Sequence, residues 1–531
     1  MHGLEFRLEF LIGLLGVVAL LGQLARMIGV PYPIFLVLGG VGVGLIPASP
    51  NVELPPEIIF LVFIPPLLLS AAFSSSPRDL RAHARPIALL AVCLVFITTG
   101  AVAAAAHFVI GLPWAAAFVL GAVVAPTDPV AAEATFRRLG VPDRVHTIVS
   151  GESIINDGTA LVAYNIAVGA VVTGTFSVAQ AGLEFLLVSG GGIVLGYAVA
   201  RAVTPLYGRL GDPTILVVFT LIPAYFSYIV AERIGASGIL AVVTLGLYVG
   251  WQAPKRFTAR ARIQSYSFWT VLTFLMDSLL FILVGLEFPL ILDGISEYSF
   301  AQLSLYASLA CGAVIGLRLL WFFFAPSSVP ALDRLLRTRY LRAPWQERLV
   351  MGWSGMRGAV SLAAALAIPL QTQAGAEFPY RDLIVFLTYT VIFATLVFQG
   401  LTLPFLILHL GVKDEGNEDR MAELDARVKA THAALERLDG ICDDETIPDR
   451  SQARLREIYE ERIRRYESGL EAGRVTDEYR ESSEAWISWR RELFDAERDM
   501  IVTLRDRGEI NAGVMRRVER DIDLEELRES G

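Results

Sequence analysis

Long apolar runs alternate with short polar connections over the first 410 residues, and a highly charged segment follows them. A helix of about 20 apolar residues is needed to cross a bilayer core about 30 Å thick. The pattern therefore predicts an all-α membrane protein with about 13 transmembrane helices. The predicted spans are approximately 9–26, 33–46, 57–73, 86–109, 113–137, 147–174, 178–206, 214–233, 236–251, 266–292, 300–325, 346–371 and 382–410.

Composition supports this class. Hydrophobic residues make up 54% of the 531 residues, whereas soluble domains contain about 45–50% apolar residues. A soluble protein with buried helices is the alternative, but its apolar runs would be fewer and shorter. The first run lacks a following cleavage site built from small residues, so we expect it to be retained as a span.

The charged segment defines a second predicted domain. From Lys413 onward there are 22 Lys and Arg against 33 Asp and Glu, a net charge of −11, while the whole chain carries −9. We therefore divide the chain into a transmembrane domain (1–411) and a helical regulatory tail (412–531). Apolar residues recur in the tail at helical spacing. A partly disordered, solvated tail is the alternative.

The connections between spans predict the orientation. Successive connections lie on alternate sides of the membrane; those on one side carry 16 basic residues and those on the other side only three. The positive-inside rule places the richer set in the cytoplasm, so the N-terminus is expected outside and the tail inside the cell. The 16 residues are Arg26, Arg78, Arg81, Arg85, Arg137, Arg138, Arg144, Arg209, Lys255, Arg256, Arg260, Arg262, Arg334, Arg337, Arg339 and Arg342.

Several other functions lack a sequence signature. The three cysteines are too widely spaced for a disulfide framework or a metal site, and no nucleotide-binding glycine loop occurs. The nucleophile motif of serine hydrolases is missing, and no basic stripe suggests nucleic-acid binding. The glycines within spans, such as Gly40 and Gly196, are expected to serve helix packing. We expect no cofactor and no enzymatic activity.

The fifth predicted span contains the sequence Pro126-Thr127-Asp128-Pro129. Proline removes a backbone donor and clashes with the preceding turn, so two prolines should break this helix near its middle. In transporters, such half-helix ends face a site at the membrane midplane. Asp128 is expected to offset the positive N-terminal end of the second half-helix. A simple proline kink is the alternative.

The sixth span contains four polar side chains within six residues. Ser153 and Asp157 lie four residues apart, on one helix face, and Glu152 and Asn156 share the adjacent face. A carboxylate inside a membrane costs roughly 2.5–3.5 kcal/mol on insertion scales, so it is a functional candidate. We predict that Asp157 binds either a proton or an alkali cation, one at a time.

The twelfth span contains Arg357 between Gly355 and Gly358. A buried, unpaired charge is costly, so we expect Arg357 to pair with Glu152, with Asp128 as the rival partner. Alternatively, Arg357 compensates the carbonyl groups at the end of a half-helix. The fifth and twelfth spans are both penultimate if spans 1–6 and 8–13 form two inverted repeats. Matched interrupted segments of this kind predict a transporter in which two broken helices cross.

Five motifs carry a resemblance to a known family. In order along the chain they are GAVVAPTDPVA (121–131), GESIINDGTA (151–160), GASGILAVV (235–243), SLLFILVGLE (278–287) and GMRGAVSLA (355–363). The chain resembles the sodium/proton exchangers of the cation:proton antiporter family 1, in particular bacterial NhaP-type antiporters. The resemblance implies a homodimer of 13-helix protomers in the cytoplasmic membrane, where it would serve pH homeostasis.

The resemblance also implies residue roles. Asp157 would be the titrating ion ligand, Asp128, Thr127 and Ser153 would surround the ion, and Asn156 would be a partner. Glu152 with Arg357 resembles the stabilising ion pair of the family. Asn156 before Asp157 resembles the electroneutral branch, which exchanges one Na⁺ or Li⁺ for one H⁺.

The chain departs from this family at two positions. Ser70 stands where related proteins often carry an acid, which weakens the assignment of Na⁺ and keeps K⁺/H⁺ exchange open as the alternative. Asp277 stands where many relatives have asparagine. It is either a second titrating group or, as we favour, a hydrogen-bonded polar residue. Arg318 in the eleventh span is expected to extend toward the cytoplasm.

Two unrelated classes compete with exchange. A cation channel also needs polar groups at depth but would conduct current. An intramembrane aspartyl protease would need Asp128 and Asp157 to share a proton at about 3 Å, and the predicted Arg357 neighbourhood does not suit that.

Overall fold

The computed structural model describes residues 2–46, 55–324, 343–413, 417–444, 449–471, 493–504, 507, 509 and 512–530. The basic residues Arg334, Arg337, Arg339 and Arg342 lie outside these ranges. The described chain separates into two compact units, Met1–Lys413 and Asp414–Gly531.

The first unit is helical and supplies a helix, or two half-helices, at each predicted span. They are α1 (His2–Ile28), α2 (Tyr32–Gly44), α3 (Pro56–Ser74), α4 (Ala84–Ile110), α5a (Trp114–Val124), α5b (Val130–Leu139), α6 (Asp143–Thr173), α7 (Val178–Tyr207), α8 (Pro213–Arg233), α9 (Gly238–Arg256), α10 (Ala259–Leu286), α11 (Phe300–Phe324), α12a (Trp345–Trp353), α12b (Ala359–Leu366) and α13 (Arg381–Leu410).

Eight helices of the described chain are long and apolar enough to cross a membrane. They are α3, α4, α6, α7, α8, α10 together with the short helix Phe288–Asp293, α11 and α13. The predicted membrane class and all-α fold are thereby confirmed, whereas the total of 13 spans stays a prediction. The half-helices are short because non-helical residues interrupt the fifth and twelfth spans between them.

Helix packing within this unit falls mainly into two groups. In the scaffold group α10 packs on α2, α9 packs on α3 and α7, and α8 joins them. In the core group α5a packs on α4 and α6, and α11 packs on α4 and α12a. Glycines allow the closest approaches, as predicted for Gly40 and Gly196: a methyl group on Gly40 would overlap the α10 backbone at Ile282, and one on Gly196 would overlap Ala241.

The second unit contains α14 (Asn417–Asp444), α15 (Asp449–Glu471) and α16 (Ala512–Ser530). Helices α14 and α15 pack against each other. Arg427 carries an ion pair with Glu423 on its own helix and lies over the ring of Tyr466 on α15. Helical structure is therefore present in the part of the tail that the structure describes.

Candidate functional site

The first helix break lies where the two prolines predict it. Helix α5a ends at Val124, residues 125–129 are not helical, and α5b begins at Val130. The Asp128 carboxylate accepts a hydrogen bond of 2.9 Å from the backbone N–H of Val130. This acid therefore satisfies one of the free donors at the start of α5b and opposes its positive end, as predicted.

The second break crosses the first. Helix α12a ends at Trp353 and α12b begins at Ala359. The backbone N–H of Asp128 donates a 2.7 Å hydrogen bond to the carbonyl of Met356, so the two interrupted segments are joined directly through their main chains. Gly358 follows at the same crossing, where a methyl group would overlap the Asp128 carboxylate. Only glycine leaves room for this acid.

Arg357 does not form the predicted pair with Glu152. Its side chain is 2% exposed, and its Nε donates to the carbonyl of Val124 at 3.1 Å. The guanidinium also donates to the carbonyl of Gly355, and the backbone N–H of Arg357 donates to Thr395. Val124 is the last residue of α5a, so the alternative role is the one observed: Arg357 places positive charge at the C-terminal end of a half-helix.

Glu152 pairs instead with Arg318 from α11, and the expectation that Arg318 extends toward the cytoplasm is wrong. Both side chains are 1% exposed. Arg318 makes a two-pronged contact, with Nη2 to Oε2 at 2.8 Å and Nη1 bonded to Oε1. A third bond of 3.2 Å runs from Nη2 to the carbonyl of Met351. The paired charges satisfy each other's hydrogen-bonding groups, which makes deep burial possible.

Gly355 explains why the predicted pairing of Arg357 with Glu152 was wrong. A methyl group on Gly355 would overlap the guanidinium of Arg318. This glycine therefore accommodates an arginine from another helix, not the neighbouring Arg357. The sequence signal that could have found Arg318 was its isolation: it is the one charged residue of a 25-residue apolar helix.

Helix α6 brings Ser153 and Asn156 against the break. The Ser153 hydroxyl donates to the Thr127 carbonyl at 2.7 Å, and the Asn156 amide donates to the Thr127 hydroxyl at 2.9 Å. The Thr127 hydroxyl in turn donates to Glu152 at 3.4 Å. These bonds hold the non-helical segment of α5 against α6.

Asp157 lies one turn beyond Ser153 and, unlike Ser153 and Asn156, does not bond to the interrupted segment. Within the described residues, no hydrogen-bond donor or cation is bonded to its carboxylate. It lines a cavity of ≈ 850 Å³ together with Thr127, Asp128 and Ser153. The structure thus brings the four predicted ion-binding residues to one surface. Glu152, Asn156 and Arg357 do not join that surface but bond to the interrupted segment that forms it. Two carboxylates and two hydroxyls are oxygen ligands suited to a hard cation.

The cavity extends from Asp157 to the connections rich in basic residues, where Arg26, Asp79 and Arg137 line it. Its opposite wall contains Ser70 of α3 and Asp277 of α10. Ser70 accepts a 2.9 Å hydrogen bond from Thr273, and Asp277 is hydrogen-bonded to Tyr32. Sequence reasoning missed several polar lining residues, including Tyr32, Glu133 and Thr273, because none of them lies within a recognised motif.

The crossing at Gly358 gives a direct prediction. Gly358→Ala should reduce transport strongly, because the added methyl group displaces the Asp128 carboxylate and separates the two breaks. Gly312→Ala in α11 is the matched control, since nothing lies within 4 Å of its added methyl group. Uptake of ²²Na⁺ into proteoliposomes compares the two variants. Equal activities would show that the close approach is unimportant.

Two crossed broken helices, charge compensation at their ends and acids facing a cavity define a secondary transporter of the inverted-repeat type. A sequence model described as "Sodium/hydrogen exchanger, transmembrane" matches residues 15–409. The chain belongs to the sodium/hydrogen exchanger family, and the resemblance drawn from the motifs is confirmed.

Individual relatives agree with this assignment. A Mycobacterium tuberculosis protein named as an uncharacterized Na⁺/H⁺ exchanger is 32% identical over 531 residues, covering 99% of this chain and 97% of that protein. The Na⁺/H⁺ antiporter ApNhaP of Aphanothece halophytica is 31% identical over 428 residues, covering 80% and 78%. A sodium, potassium, lithium and rubidium/H⁺ antiporter of Bacillus pumilus is 33% identical over 421 residues, covering 76% and 60%.

The fold also matches a solved structure. The sodium proton antiporter MjNhaP1 of Methanocaldococcus jannaschii superimposes with a TM-score of 0.62 at 21% identity. The match covers 77% of this chain and 99% of MjNhaP1. The predicted NhaP-like fold is therefore confirmed for the transmembrane unit.

Proposed function

We propose that the protein is an antiporter that exchanges Na⁺ for H⁺ across the cytoplasmic membrane. The observation that carries the proposal is the Asp157 carboxylate, which faces a cavity beside Thr127, Asp128 and Ser153 and has no bonded donor among the described residues. A proton or a cation can occupy this carboxylate, and each excludes the other. Family membership supports Na⁺ and H⁺ as the two ions.

Exchange follows if only the occupied site crosses the membrane. The cation then moves in one direction and the proton in the other, and no cofactor or chemical step is required. The cavity opens toward the basic connections, which the positive-inside rule assigns to the cytoplasm. We therefore infer an inward-open state, with the N-terminus outside and the tail inside the cell.

The proposed stoichiometry is one for one. Asn156, not a second acid, precedes Asp157 and is bonded to Thr127. One-for-one exchange moves no net charge, whereas a two-proton exchange would gain about 2.3 kcal/mol per 100 mV of membrane potential. A potassium–valinomycin diffusion potential imposed on Na⁺-loaded proteoliposomes tests this directly: the rate should not change.

K⁺/H⁺ exchange is the second candidate. Ser70 presents a neutral hydroxyl to the cavity, and the Bacillus pumilus relative is named as transporting potassium and rubidium as well as sodium and lithium. Dequenching of a pH-sensitive dye with Na⁺, Li⁺ and K⁺ in parallel separates the two proposals. Channel activity would instead appear as single-channel current.

Competition predicts a pH dependence. Each fall of one pH unit multiplies the proton concentration tenfold. Where the empty site is mostly protonated, the apparent KM for Na⁺ should therefore rise about tenfold per pH unit. The maximal rate should stay constant, because saturating Na⁺ displaces the proton. A KM that is independent of pH between about 6 and 9 would mean that the two ions use different sites.

We further propose a homodimer embedded in the lipid bilayer, as in the resembled family. Chemical crosslinking in native membranes, with the tail intact, should trap a species of twice the monomer mass. A protein that stays monomeric at every crosslinker concentration and after gentle solubilisation would contradict this part of the proposal.

A further inference from the structure

The scaffold wall of the cavity carries polar groups that the proposed exchange mechanism does not use. Helix α10 presents Tyr266, Thr270, Thr273 and Asp277 to the cavity. Their spacings of four, three and four residues place them on one helix face. This polar stripe starts near the basic-loop end of α10 and runs along the cavity wall.

Tyr32, on α2, lies beside Asp277 at the end of this stripe. Its side chain is hydrogen-bonded to Asp277, and its ring lies 5.2 Å from that of Phe274. The close glycine contact between α2 and α10 fixes the two helices against each other. One turn away from Asp277, the hydroxyls of Thr273 and Ser70 are 2.9 Å apart. The hydroxyls of Tyr32, Thr273 and Ser70 therefore line the same cavity as the Asp277 carboxylate.

The charge balance around Asp277 is negative. This carboxylate is 7% exposed, and the charged groups that interact with it are the acids Asp128 and Glu133. Among the described residues no Lys, Arg or His forms an ion pair with Asp277. The basic side chain of Arg137 and the ring of His146 are each 3.8 Å from Glu133 instead. A buried acid among other acids either takes up a proton or pairs with a cation from outside the protein.

We propose that Asp277, Tyr32, Thr273 and Ser70 form a second binding site for the transported monovalent cation. Carboxylate and hydroxyl oxygens are the ligands that a hard cation accepts, and each hydroxyl retains acceptor capacity beside the bond it donates. The site lies on the scaffold wall and faces the core acids across the cavity. It loads before Asp157 and raises the local cation concentration there.

This inference rests on the proposed function for its transport readout, but its binding readout is independent. In purified full-length protein in detergent, ²²Na⁺ binding should show two sites per chain in the wild type. Asp157→Asn should retain one site, and Asp157→Asn with Asp277→Asn should retain none. Loss of all binding in Asp157→Asn alone would overturn the second site without touching the proposed exchange.

Transport gives the second test. Asp277→Asn should raise the apparent KM for Na⁺ about fivefold to tenfold and change the maximal rate by less than about twofold, because Asp157 remains. Tyr32→Phe removes only the hydroxyl and should raise KM in the same direction, by about threefold. This variant serves if Asp277→Asn does not fold.

Asp79→Asn is the matched control. It makes the same chemical change at an exposed residue of the same cavity and should leave KM unchanged. An unaltered KM in both Asp277→Asn and Tyr32→Phe would overturn the site. So would an unchanged KM with a shifted proton-to-sodium ratio, which would identify Asp277 as a proton carrier. Failure of the proposed function appears differently, as full exchange by Asp157→Asn.

Discussion

Asp157→Asn is expected to reduce exchange to the rate of protein-free liposomes while the protein stays folded. Asparagine keeps the size of the side chain, but it neither carries a proton at physiological pH nor offers a full negative charge to a cation. Because the carboxylate makes no bond to any described donor, its removal leaves no buried group without a partner. Dye dequenching in proteoliposomes measures the exchange, and size-exclusion chromatography of the purified variant checks folding.

Asp293→Asn provides the comparison, because it is an exposed aspartate at the end of the helix that follows α10. It should exchange at the wild-type rate. Coupled exchange that persists in Asp157→Asn, at any cation concentration, would remove Asp157 from the carrier role and with it the competition mechanism.

Arg318→Met should destabilise the transmembrane unit by about 3–5 kcal/mol, because it leaves Glu152 charged and buried without its partner. Glu152→Gln combined with Arg318→Met should recover much of this loss, since no uncompensated charge remains. Thermal unfolding of the detergent-purified variants, followed by tryptophan fluorescence, measures the coupling between the two positions in a double-mutant cycle.

Arg357→Met supplies the contrast. Its side chain bonds to carbonyl groups at a half-helix end. The stability lost in Arg357→Met should therefore be nearly additive with the stability lost in Glu152→Gln, giving a smaller coupling energy than for Arg318. A coupling larger for Arg357 than for Arg318 would contradict the observed pairing and restore the one expected from the sequence.

The breaks could be predicted because their causes are local. Pro126 and Pro129 disrupt α5 whatever surrounds them, and the spacing of Ser153 and Asp157 fixes their common face on α6. The motifs then identified the family. Features of this kind depend on a few consecutive residues, so the sequence alone contains them.

The ion pair could not be predicted because its partners are distant in the chain. Arg318 and Arg357 are both isolated arginines in apolar segments, and either could reach Glu152 in principle. The choice depends on the rotation and depth of α11 against α6, which the apolar pattern leaves undetermined. Likewise, nothing in the sequence places Tyr32 beside Asp277, since that contact depends on how α2 packs on α10.

The contact between Arg144 at the start of α6 and Glu347 at the start of α12a, with a 3.1 Å bond from Nε, lies far along α6 from the Arg318–Glu152 pair. These two ion pairs join α6, α11 and α12a, so the three helices should move together. Asp157 lies on α6 and would move with these helices, whereas Asp277 lies on α10, in the scaffold group. Because only the occupied site crosses the membrane, an ion bound to Asp157 would move with α6, α11 and α12a relative to α10 and its Asp277.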